Sequence, residues 1–289
     1  MKKLSIVIFV FLPINLLLAQ PNCNYFKYTG QMERYKACLA AEKTAGHYQF
    51  SKEFQSVLDS ALTIDPTWAY PYRAKSTAYL KSGDFVTWKK LIDKAVQFDT
   101  LNNLYYRGRC RFNYFRDYKG AIEDFKALKR YINNQNENEQ LLVHDDTHVD
   151  TFLALCFRSL GETEKAIKIM RSRLADPSYS SGLFDHLHLG TMYLEQEEYT
   201  KAIEQFKKQE NINDLAENRF YIAIAYKFMQ NQESYLSNLK TAKRFLQQGK
   251  RIHDYYVENI DKIYLTDILE EENNISKGSI GSEIKLNKL

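Results

Sequence analysis

The sequence predicts an all-α fold of stacked helix pairs, a solenoid of five or six repeats closed by a C-terminal capping helix. Two observations carry this. Residues 186–206, HLHLGTMYLEQEEYTKAIEQF, place the small residues Gly190 and Ala202 where two helices meet closely, with Leu189, Tyr193, Ile203 and Phe206 filling the space around them. The position of Ala202 then recurs along the chain as Phe54, Trp88, Ala121, Ala166 and Tyr235. Successive spacings are 34, 33, 45, 36 and 33 residues, a regular array with one insertion.

Residues 1–19 read as a secretory signal peptide. Lys2 and Lys3 precede an apolar run, and Ala19 offers a small residue ahead of a cut before Gln20. The run, broken by Pro13, is short against the ~20 residues of a spanning helix, so an uncleaved anchor is the alternative. The chain is therefore expected to be exported, periplasmic or secreted. Residues 20–34 form an N-terminal segment. Without 1–19 the chain carries 38 basic and 36 acidic residues, a balance that calls for neither nucleic acid nor an anionic membrane as partner.

Four cysteines in an exported chain raise the question of disulfides. Cys23 with Cys38 would tie the N-terminal segment onto the first helix pair. Cys110 with Cys156, on the first helices of adjacent repeats, is a second candidate bridge or a pair of small buried apolar residues. No Cys-x-x-Cys of a zinc site occurs.

Repeats are expected over 35–250. In the first, Phe50, Phe54, Leu58, Ala61 and Leu62 recur three or four apart on one helix face, and Asp65-Pro66 ends the helix. Gly83 turns the chain in the second repeat and Gly161 in the fourth. Residues 133–147, NNQNENEQLLVHDDT, are the insertion, a longer loop or an extended helix end. Ile252, Tyr255, Tyr256, Ile260, Ile263 and Tyr264 keep a helical period, which places the capping helix at 251–272. Residues 273–289 read as a mobile tail.

No nucleophile elbow, P-loop or His-Glu-x-x-His motif is present, so neither catalysis nor a cofactor is expected. His144, Asp145, Asp146, His148 and Asp150 have metal-ligand chemistry, but their place before a helix suits capping better. His186 and His188, two apart, face different ways on a helix.

The motif at 186–206 and its recurrence resemble the tetratricopeptide (TPR) family, over roughly 35–250. The copies at 69–102, 147–180 and 183–216 match best, and 102–135 matches in its second half. Those at 35–68 and 216–249 depart, with Glu42 in the first-helix small slot of the first copy and Arg109 in that of the third. The resemblance implies a right-handed superhelix whose first helices line a concave groove. Carried over copy by copy, it names Lys43, Tyr70, Arg73, Tyr106, Asn113, Tyr114 and Arg158 among the groove residues. Such a surface, basic with tyrosines in its first half, suits a segment carrying acidic and aromatic residues. The carboxylate clamp of chaperone-binding members is not carried over, because Lys43, Thr77 and Cys110 occupy the nearest slots. The implied function is a non-catalytic scaffold holding a protein or peptide partner. The alternative is a carbohydrate- or small-ligand-binding module that uses the groove tyrosines.

Overall fold

A computed structural model of the chain describes residues 21–137, 142–144, 147–254 and 256–276. The leader at 1–19, Asp145, Asp146 and most of the 273–289 tail lie outside these residues. Helices dominate them, and the chain divides into two compact units, 1–99 and 100–289. No helix among the described residues is long and apolar enough to cross a membrane.

In the first unit a short helix α1 (Cys23–Tyr28) precedes the pairs α2 (Met32–Glu42) with α3 (Lys52–Ile64) and α4 (Ala69–Ser82) with α5 (Phe85–Phe98). Helices α3, α4 and α5 have local reasons to start or stop. Ser51 accepts from the Phe54 N–H and Asp84 from the Thr87 N–H, which satisfies amides that have no partner within the helix. Before Pro66, Asp65 is extended and ends α3 as expected. Gly83 ends α4 at φ +82°, a left-handed conformation that costs glycine nothing. Ala37, Cys38, Leu58, Ala61 and Trp68 form the core, and Trp68 meets Phe26 of α1 edge-on at 5.9 Å. Cys23 and Cys38 are disulfide-bonded and so tie α1 to α2.

The second unit has four pairs: α6 (Thr100–Cys110) with α7 (Tyr118–Gln135), α8 (Val149–Ser159) with α9 (Thr163–Leu174), α10 (Asp185–Glu195) with α11 (Tyr199–Asn213), and α12 (Ala216–Phe228) with α13 (Gln232–Gln247). Helix α14 (Leu265–Ser276) follows. The recurring second-helix positions are core: Ala121, Ala166 and Ala202 are wholly buried and Tyr235 nearly so. Gly190 is the point of closest approach, where an added Cβ would lie 2.4 Å from the Phe206 ring.

In the third pair that role falls to Gly108, whose added Cβ would lie 2.8 Å from Phe125, and not to Arg109. The cause is a π-helical turn, Arg111–Phe115, which continues α6 and takes up one extra residue. Gly108 precedes Ala121 by 13 positions where Gly190 precedes Ala202 by 12, so every first-helix position carried over to this copy ahead of the π turn is displaced by one. The insertion extends α7 to Gln135 and then forms a short hairpin of β1 (Val143–His144) and β2 (Thr147–His148).

The expected helix at 251–272 is corrected. Helix α13 ends at Gln247, the described residues of 250–264 cross the unit without a helix, and the helix begins at Leu265. Helix α14 then covers the last pair, with Ile268 wholly buried against Tyr235, Leu239 and Ala242. Glu271 receives Lys227 Nζ at 2.9 Å and the Tyr235 hydroxyl at 2.6 Å in a buried cluster.

Candidate functional site

The first helices of the second unit carry the site. Asp185, buried at the start of α10, accepts from the Thr151 hydroxyl of α8 at 2.9 Å and from the Tyr179 hydroxyl at 2.6 Å. Gln209 of α11 accepts the Leu187 N–H at 3.1 Å, closing one of the amides exposed at a helix start. The Thr151 bond joins α8 to α10, and the Gln209 bond joins α10 to α11. Arg158 lies in the last turn of α8, and His188 and Thr191 lie three apart on α10, hence on one face.

The described residues of 250–264 pass over this face as a strap. The strap starts on α12, where the Ala216 N–H donates to the Lys250 carbonyl at 2.9 Å and Glu217 accepts the Ile252 N–H at 3.1 Å. Farther along, Arg116, just after the π turn, donates to the Glu258 carbonyl at 3.1 Å. Ile252 and Ile263 are buried while Tyr256 is exposed, so the strap holds by a few anchors.

Asp261 is the central anchor. Its side chain is 2% exposed. Arg158 grips it with both terminal nitrogens, Nη1 to Oδ2 and Nη2 to Oδ1, each at 2.9 Å. His188 Nδ1 lies 2.6 Å and Thr191 Oγ1 3.0 Å from Oδ2. A carboxylate only accepts, so His188 Nδ1 carries the proton. The paired guanidinium bonds are of the strong, charge-assisted kind. Burial works against the Asp261 charge, but the Arg158 guanidinium and the His188 bond hold the carboxyl well below the usual carboxylate range. Burial likewise opposes the Arg158 charge and is outweighed by Asp261 and Glu195, so its pKa rises. Burial, reinforced by Asp261, pushes the Tyr221 hydroxyl well up. Asp261 itself sits at φ +66°, an uncommon conformation for a residue with a Cβ.

The groove residues expected from the sequence fall out as follows. Lys43 and Arg73 are exposed in the first unit, and Tyr70 is half-buried there, stacked on Trp68 at 5.2 Å. Tyr106 and Asn113 are half-buried and Tyr114 is 44% exposed, all on α6 or its π turn. Burial raises the Tyr114 pKa, and the strap residues Asp254 and Tyr256 add to the effect. Only Arg158 is at the centre of the site, and it is corrected from an open groove residue to one already paired with Asp261 and with Glu195 at 2.8 Å. Asp261, His188 and Thr191 were missed as a set. Gly249, which ends α13 at φ +75°, was the available signal that 250–264 need not continue a helix.

Cys110 and Cys156 are buried thiols that are not bridged to each other, in keeping with the apolar alternative, and burial raises the Cys156 pKa. Two of the metal-type residues have structural work. His148 caps α8 through Nδ1, which accepts the Asp150 N–H at 2.9 Å, and Asp150 pairs with Lys129 and with Arg173. His186 Nδ1 lies 2.9 Å from Gln205 Oε1 and His188 meets Asp261, so the two histidines have different partners.

No family model and no curated protein matches this chain. Solved structures resemble it. PilW, described as a widely conserved type IV pilus biogenesis factor, aligns with TM-score 0.55 and 13% identity over 75% of this chain and 94% of PilW. The pilF protein of Pseudomonas aeruginosa aligns with TM-score 0.51 and 15% identity over 78% of this chain and 89% of that one. YrrB, described as a TPR protein with an unusual peptide-binding site, aligns with TM-score 0.47 and 17% identity over 66% of this chain and 92% of YrrB. The fold of the chain is all-α, built of TPR-type helix pairs.

Proposed function

We propose that the protein is a non-catalytic interaction scaffold that holds a segment of a partner protein against the first helices of its repeats. One observation carries this reading: the face formed by α8, α10 and α12 already holds a non-helical stretch of polypeptide, the described residues of 250–264, through backbone and side-chain hydrogen bonds. The way this face seats its own strap is the way extended peptides are recognised generally, with main-chain bonds for affinity and a few side-chain anchors for specificity. Lys43, Tyr70, Arg73, Tyr106, Asn113 and Tyr114 are proposed as further contacts, since arginine and tyrosine are enriched where interfaces are strongest.

The proposed location is the cell envelope or the exterior, with an uncleaved N-terminal anchor as the alternative. The leader-like residues 1–19 and the Cys23–Cys38 disulfide, which suits an oxidising compartment, support it. PilW is described as a pilus biogenesis factor, and a role in an envelope assembly is compatible with that likeness.

The test is affinity capture from the envelope of the native host with the mature chain as bait, followed by hydrogen exchange on the purified pair. Protection on first helices such as α6 and α10 is the expected result. Protection confined to second helices, or no reproducible partner, would overturn the reading.

A further inference from the structure

We infer that Arg158, His188 and Thr191 form a receptor site for a carboxylate on an extended peptide, and that Asp261 is its built-in occupant, exchangeable for an acidic segment of a partner. The inference rests on the reading of this face as an interaction surface and adds the chemistry of what it takes.

The receptor is assembled from two helices of the fold, α8 and α10, while its occupant lies on a non-helical strap. Four contacts of 2.6–3.0 Å converge on one carboxylate that is 2% exposed, and two of them come from a guanidinium fork that matches a carboxylate in shape as well as charge. The strap is pinned at separate points, Ile252, Glu258, Asp261 and Ile263, with exposed residues between and beyond them. Tyr256 is 77% and Tyr264 47% exposed, and Asp261 reaches the site from a left-handed backbone conformation. A peptide that supplies a carboxylate from relaxed backbone avoids that conformation. With Asp261 absent, Arg158 retains Glu195, so the empty site is left with a partly matched arginine and not a bare buried charge. The sequence on either side of the anchor, Asn259-Ile260-Asp261-Lys262-Ile263, defines the class of occupant: an acidic residue with a branched apolar residue just before it and another two positions after it, in a non-helical segment.

Because the strap is tethered, its effective concentration is in the millimolar range, and an untethered competitor sees the site only when the strap lifts. The test uses the full chain with Asp261→Ala and, as probe, a fluorescently labelled synthetic peptide carrying residues 250–264. The peptide is expected to bind the variant at least ~10-fold more tightly than the wild-type chain. That gain should vanish when the peptide carries Asp261→Asn, or when the chain also carries Arg158→Gln. Equal binding to wild type and variant, or a gain that survives Arg158→Gln, would overturn the inference. Should Asp261→Ala fail to fold, hydrogen exchange on the wild-type chain decides. An Ile252 amide that exchanges ahead of the α10 core supports an independently lifting strap, and exchange in step with α10 rules it out. A partner found by capture while these peptide tests fail would retain the scaffold and reject only the carboxylate site.

Discussion

At the residue scale, small changes of volume and charge decide. Gly190 has no room for a side chain, because Phe206 occupies the space a Cβ would need. Gly190→Ala is expected to cost about 1–3 kcal/mol through overpacking, read as a lower urea midpoint with an unchanged slope. His148 gives a pH dependence. Burial, helped by Arg173 and Lys129 and opposed by Asp150, pushes its imidazole from 6.5 down to about 4. Only a neutral ring can accept the Asp150 N–H at Nδ1. The unfolded chain therefore takes up a proton that the folded one refuses. The associated stability is fully present above pH ~6.5 and is lost as pH falls through that window to about 4, a loss of ~3 kcal/mol. Urea titrations of the wild type and of His148→Asn, which keeps a good cap residue, should diverge between pH 7 and 4.5, with the variant flatter. Identical pH profiles would show that this ring does not couple to folding. The residues of the close contacts were legible where the helical count was unbroken, at Gly190, Ala166 and Ala202. Gly108 was not, because nothing in the local pattern announces that a π turn will take up one extra residue.

At the scale of elements, the cluster of Lys227, Tyr235 and Glu271 joins α14 to the last pair. Its ion pair is almost wholly buried, with side chains 5% and 4% exposed. Glu271→Ala leaves a buried ammonium without its counter-charge and should cost about 3–5 kcal/mol. Limited proteolysis should then cut within α14 under conditions where the wild type stays intact, and an uncut variant would mean the helix docks by apolar contact alone. The disulfide makes a second prediction. Without reductant the mature chain should show two titratable thiols, Cys110 and Cys156, and only after unfolding, since both are buried. Four thiols in exported material would remove the bond between α1 and α2. The sequence period misplaced the closing helix for a physical reason. Ile252 and Ile263 are both buried, Ile263 within the core of the last pair, but Tyr256 and Tyr264, which completed the apparent period, are exposed. A helical spacing of apolar residues is not a buried stripe unless the intervening face is covered as well.

At the scale of the molecule, repetition made the architecture readable. Each unit repeats one packing solution, so a single well-formed copy at 186–206 was enough to find its relatives, even where Trp88 or Tyr235 stands in a slot that is elsewhere alanine. A circular dichroism spectrum dominated by helix is the corresponding expectation, and a strand-dominated spectrum would contradict the fold. The site was a different matter. Arg158 was visible as a groove position, but its partner Asp261 is 103 residues away and His188 is 73 residues from that same partner. No local period links such positions. The groove tyrosines were legible as residues but not as a set, since Tyr70 is packed on Trp68 in one unit while Tyr106 and Tyr114 belong to the other.

The order of these parts along the chain has a consequence for synthesis. Helices α8, α10 and α12 all precede residue 250 in the chain, so every residue of the carboxylate-gripping face is made before the strap. Whether the chain emerges from the ribosome or from an export channel, N-terminus first, Arg158, His188 and Thr191 emerge before the Asp261 that covers them. A partner made nearby, or a chaperone with an acidic segment, meets no tethered competitor until Asp261 follows. A mature molecule offers the same residues only in competition with its own Asp261.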